Sequence, residues 1–144
     1  MTPTLIGRWQ TRIFLLATIG ILISLPFAIG LIGNHPGLIY FWVLFYIGLF
    51  GLAWDCLYHF LQQFLWDHDW PGALQLIAAI AEAIFLALVI AVFGLPYVAD
   101  FNFGLFLFHY TVVWIAIYLS SWVVMRLLFP RWRFRGGRWL GSWD

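Results

Sequence analysis

Four long apolar runs, each closed by turn-forming or charged residues, constrain this chain more than any other feature. A bilayer core about 30 Å thick is crossed by a helix of about 20 apolar residues. The runs cover residues 13–32, 38–66, 71–93 and 103–129. The first carries no charge and is closed by Gly33, Asn34, His35, Pro36 and Gly37. The second stops at Asp67, His68 and Asp69. The third starts at Pro71, a residue suited to a first helical turn, and ends before Gly94, Leu95 and Pro96. Pro130 ends the fourth. Short connections and the lack of an alternating strand pattern leave helices as the way to satisfy the backbone in lipid. The expected fold is therefore all-α: an integral membrane four-helix bundle of up-down topology over residues 1–130, followed by an Arg/Trp-rich interfacial tail over 131–144.

Composition excludes the main alternatives. The 144 residues are 65% hydrophobic and 9% charged, with a mean hydropathy of +0.96, whereas a soluble domain carries about 25% charged residues. A disordered chain needs low hydrophobicity and high net charge, and a free-standing nucleic-acid binder needs a basic face; the formal net charge here is +1. The single cysteine, Cys56, excludes an intramolecular disulfide and any CxxC motif, and its apolar surroundings predict a buried, inert thiol.

Arg8 and Arg12 ahead of an apolar run invite a signal-peptide reading. The run is longer than the typical signal core of about 7 to 15 residues and lacks an A-x-A site, so an uncleaved first span is expected. All seven basic residues are arginines, and none lies in a connecting loop. Arg8 and Arg12 precede the first span, Arg126 lies at the inner end of the fourth, and Arg131, Arg133, Arg135 and Arg138 follow it. This asymmetry predicts both termini on the cytoplasmic side of a plasma (inner) membrane or equivalent bilayer. Ala17, Gly20, Ser24 and Ala28 form a small-residue stripe on the first span, Gly48 and Gly51 start another on the second, and Pro26 is expected to kink the first.

The second span continues its small stripe as Asp55, His59 and Gln62, with Tyr58 beside them; the third presents Gln75, Ala78, Ala79 and Glu82 on one face. Ionisable groups inside a span cost about 2.5 to 3.5 kcal/mol on insertion scales and face protein or water. Counting about 1.5 Å per residue from the loop at Asp67 places Asp55 about 18 Å deep, His59 about 12 Å and Glu82 about 16 Å. Asp55, His59 and Glu82 are thus expected to converge near mid-bilayer, with Gln62, Gln75 and Tyr58 supporting them.

This cluster admits three readings. It is a structural polar knot, a proton or cation relay, or a metal site of two carboxylates and one imidazole. No cofactor is the simplest expectation, with a single divalent metal as the alternative. A haem held by two histidines is opposed by depth, since His109 lies about 28 Å from the arginine-bearing end and His59 about 12 Å. His35, Tyr97, Asp100 and His109 suggest an outer entrance or solvated loop groups. Asp67 and Asp69, between Trp66 and Trp70, are read as caps or anchors, with Asp69 capping the third helix, or as gate partners of Arg126 and Arg131.

In the tail, charge alternates with aromatics at a period near two. Arg131, Arg133, Arg135 and Arg138 are expected on anionic lipid headgroups with the rings in the acyl boundary. Tyr110, Thr111, Tyr118, Ser120 and Ser121 give the fourth span polar groups to complete the site. Motifs of soluble enzymes are absent: there is no glycine-rich phosphate loop, G-x-S-x-G or HExxH. The expected function is a non-catalytic membrane module, an accessory subunit or assembly/interaction protein, with translocation and metal binding as alternatives. Four spans alone are thin for alternating access, so a homo-oligomer or a larger membrane complex is expected.

Overall fold

The structure is a computed structural model that describes residues 3–98 and 102–141. Among the described residues it is all-helical, without strands. Four helices are long and apolar enough to cross a membrane: α1 (Leu5–Ala28), α2 (Ile39–Gln62), α3 (Gly72–Phe93) and α4 (Phe103–Leu128).

α1 begins about two turns earlier than hydropathy predicts. Thr4, in extended conformation, caps it by accepting from the Gly7 N–H at 3.2 Å, which carries Arg8 and Arg12 into the helix. The expected kink at Pro26 is not the main irregularity. A π-helical turn spans Leu16–Gly20, and Pro26 sits inside the regular stretch Ile21–Ala28, where its carbonyl accepts from Leu31 and Ile32 at 2.9 and 3.2 Å. α2 ends at Gln62, short of the predicted boundary. α3 closes at Gly94 in the left-handed conformation, with φ of 60°. Asn102 caps α4 by accepting from Gly104 and Leu105 N–H groups at 2.8 and 3.2 Å; Val123 interrupts α4 before its last segment, Val124–Leu128.

α1 packs on α2 and α4, and α3 packs on the same two helices. α1 and α3 therefore stand across from each other, with room between them. At one end that room is filled by Val43 and Tyr46 of α2, Leu86 and Ile90 of α3, and Phe106 and Tyr110 of α4. At the other end, where Arg8 lies, it stays open. The outward faces are apolar: Leu22, Leu49, Ile80, Leu88 and Leu119 are each more than half exposed, a surface suited to lipid. Cys56 belongs to this surface. It is exposed rather than buried as expected, because it lies on the α2 face turned away from the other helices, and its thiol donates weakly to the Leu52 carbonyl at 3.5 Å.

The described part of the tail packs on the bundle. It turns through a 3-10 segment, Trp132–Arg135, and docks on the start of α1. Thr4 N–H donates to the Gly136 carbonyl at 2.8 Å, Thr11 Oγ1 to the Gly137 carbonyl at 3.0 Å, and Gln10 Nε2 to the Leu140 carbonyl at 2.9 Å. A Cβ at Gly7 would overlap the Gly136 carbonyl oxygen, so the absence of a side chain there permits the approach. Trp132 is buried with Leu15 and Met125, and its Nε1 donates to Thr11 Oγ1 at 3.0 Å. Its ring thus lies against protein, not in the acyl boundary. Arg131 and Arg133 are exposed, while Arg135 and Arg138 are half-buried.

Candidate functional site: a charge knot at the floor of a cavity

Arg12 organises the site. Its guanidinium grips Asp55 in a bidentate fork, Nε to Oδ2 at 2.8 Å and Nη2 to Oδ1 at 2.9 Å. It also reaches across the bundle to Glu82, Nη1 to Oε2 at 3.0 Å and Nη2 to Oε1 at 3.1 Å. One side chain from α1 thereby joins α2 and α3. The seat for the guanidinium is Gly51, where any Cβ would take the place of Arg12 Nη1. Tyr58, one turn below Asp55 on α2, donates to Glu82 Oε1 at 3.0 Å. Tyr110 Oη donates to the Ala79 carbonyl at 3.0 Å, closing α4 against α3 at the same level. Side-chain exposures of 19% for Arg12, 5% for Asp55 and 12% for Glu82 make this a largely desolvated cluster, in which each charge depends on its partners.

Asp55 and Glu82 meet, as their depths require, but His59 does not join them. It is half-buried, makes no hydrogen bond to either carboxylate, and its Nδ1 is buried without a partner among the described residues. Among the described residues no three His, Cys, Asp or Glu side chains are gathered as metal ligands. The partner the carboxylates find is an arginine that hydropathy assigns to the segment ahead of the first span. Two intramembrane carboxylates needed a cation, and Arg8 and Arg12, one turn apart, were the signal that α1 brings one in.

A cavity of about 410 Å³ leads from the arginine-bearing end to this knot. Leu15, Ala78, Val113, Trp114 and Ile117 form apolar wall; Arg12, Asp55 and Glu82 line its depth with Tyr58 and Tyr110. Arg8, Asp69, Trp70, Gln75, Arg126 and Arg133 line it nearer the mouth. Gln62 supports the rim from α2: its Oε1 accepts from Arg8 Nη2 at 2.8 Å and its Nε2 donates to the His68 carbonyl at 2.6 Å.

The remaining residues fall elsewhere. His109 is not at an outer entrance; it is fully buried, its Nε2 lies 2.8 Å from Ser24 Oγ, and its ring packs edge-on against Phe27 and Tyr40, each 5.0 Å away. The small side chain of Ser24 on α1 leaves the space that His109 fills. His35 is exposed, and its carbonyl accepts from Tyr40 Oη at 3.0 Å. Asp100 lies outside the described residues.

Asp67 and Asp69 do not form a gate with Arg126. No ion pair among the described residues joins them, and the Arg126 guanidinium instead lies 4.9 Å from the Trp122 ring. Asp67 Oδ1 accepts from Asp69 N–H at 3.1 Å, and Pro71 stands at the N-cap of α3 with no side-chain cap bond, so the cap expected of Asp69 is replaced by a local loop bond. Comparison with protein-family models, curated proteins and solved structures gives no match.

Proposed function

We propose that the protein is a non-catalytic membrane module, an accessory subunit or assembly/interaction protein, whose ionisable groups lock three helices together. It is read as an up-down bundle with both termini on the cytoplasmic side of a plasma (inner) membrane. The arginine bias supports that orientation. Arg131 and Arg133, exposed on the tail, suit anionic headgroups, and the small span count favours a homo-oligomer or a larger membrane complex.

One observation carries the reading: all four carboxylate oxygens of Asp55 and Glu82 accept from the single guanidinium of Arg12. Groups so engaged act as a clamp on register. Proton or cation translocation is the second reading, favoured by the cavity that reaches Glu82 from one end. Against it, the volume beyond Glu82 is occupied by Tyr46, Leu86, Ile90, Phe106 and Tyr110. A single divalent metal finds less support, since its expected imidazole, His59, stands apart from the carboxylates.

Proton flux into liposomes with a trapped pH-sensitive dye separates the first two readings. The clamp reading expects the wild type to match protein-free vesicles, with Asp55→Asn and Glu82→Gln altering stability alone. Flux that depends on the wild-type protein and is lost in folded Glu82→Gln would overturn it.

A further inference from the structure

The cavity has a wall and a mouth that a register clamp does not require. Its volume of about 410 Å³ falls within the range of roughly 300–1,000 Å³ common to small-ligand sites. Both deep carboxylates are occupied by Arg12. Arg8, one turn closer to the mouth, is differently placed. Its Nη2 donates to the neutral Gln62 side chain, its guanidinium carbon lies 4.7 Å from the Trp70 ring, and its Nε is buried with no hydrogen-bond partner among the described residues. Among the described residues no carboxylate forms an ion pair with it.

A partly desolvated guanidinium with an unused N–H donor is a seat for an oxyanion. Arg126 and Arg133 line the same mouth, where Asp69 is the carboxylate among the lining residues. Behind Arg8 one side of the cavity is apolar, through Leu15, Val113, Trp114 and Ile117, up to the floor formed by Arg12, Asp55 and Glu82.

We propose that this cavity binds an anionic amphiphile, with a phosphate or carboxylate head on Arg8 and an alkyl chain between α1, α3 and α4. The head group can come from a bilayer lipid or from a free amphiphile. The chemistry is shared, because both present a singly or doubly charged oxyanion at the end of an apolar chain. This goes beyond the clamp reading and does not depend on it, since Arg8 is outside the knot.

The test uses the full chain in phosphatidylcholine nanodiscs, reading the thermal unfolding midpoint against added decyl phosphate, inorganic phosphate and decyltrimethylammonium. Decyl phosphate is expected to raise the midpoint saturably, and the other two are not. Arg8→Gln is expected to weaken the apparent affinity about tenfold or more, as loss of a charged donor does. His59→Ala, which changes a side chain outside the cavity lining, is expected to leave it unchanged.

Should Arg8→Gln fail to fold, Arg8→Lys and Ile117→Trp take its place. The first should weaken binding by losing the planar fork, and the second should abolish it by filling the cavity with Arg8 intact. Nanodiscs of phosphatidylglycerol identify the source: a pre-empted decyl phosphate response assigns the site to lipid headgroups, and an undiminished one to a free amphiphile. Equal stabilisation by inorganic phosphate or decyltrimethylammonium, or undiminished affinity in folded Arg8→Gln, Arg8→Lys or Ile117→Trp, would overturn the proposal.

Discussion

Replacing Arg12 with methionine keeps much of the aliphatic stem and deletes the charge that Asp55 and Glu82 share. Asp55, with a side chain 5% exposed, loses the Nε and Nη2 donors that its two oxygens accept from; Glu82 keeps the Tyr58 hydroxyl at 3.0 Å. Breaking a buried ion pair by removing one partner costs about 3–5 kcal/mol, which shifts the folding equilibrium by about two to four decades. Asp55→Asn is milder, because Arg12 retains Glu82, and is expected to cost about 1–3 kcal/mol. The decisive comparison is Arg12→Met combined with Asp55→Leu and Glu82→Met. With no charge left to desolvate, it should recover most of the loss. Reversible unfolding in mixed detergent micelles gives each value. A loss below about 1 kcal/mol for Arg12→Met, or additivity of the three changes within about 0.5 kcal/mol, would refute the clamp.

Three further outcomes follow from other contacts. Gly51→Ala puts a methyl where Arg12 Nη1 sits and should cost about 1–3 kcal/mol in the same unfolding assay, although the change is a single carbon. Ser24→Ala removes the partner 2.8 Å from the buried His109 Nε2 and should destabilise by about 1–3 kcal/mol, with a changed imidazole nitrogen resonance in NMR. His59 makes no hydrogen bond or ion pair to Arg12, Asp55 or Glu82, so a double-mutant cycle of His59→Ala with Arg12→Met should show coupling under about 0.5 kcal/mol.

Much of the helical organisation is legible in the apolar runs, because a span needs length and hydropathy and little else. The start of α1 is not: Arg8, Gln10, Thr11 and Arg12 read as a polar leader until their partners are known, and those partners, Gln62, the tail and the Asp55/Glu82 pair, are distant in sequence. The common level of Asp55 and Glu82 is readable by counting back from the loop between α2 and α3. Which neighbour stands beside them is not, since His59 and Gly51 lie one turn either side of Asp55, and the choice depends on where α1 packs. His109 is missed for a similar reason. Depth alone places it near an end, whereas the space beside Ser24, Phe27 and Tyr40 places it in the interior. The docking of Gly136 on Gly7 leaves no trace in hydropathy.

One guanidinium bridges two carboxylates within the bundle, and the clamp stands on that bridge. Solid-state NMR on bilayer-reconstituted protein, with nitrogen-labelled arginine and carbon-labelled aspartate and glutamate side chains, measures it directly. Strong dipolar contact, nitrogen to carboxyl carbon within about 4 Å, is expected from Arg12 to both Asp55 and Glu82, and is expected to be absent in Arg12→Met. Contact with neither carboxylate, or with only one of them, would contradict it.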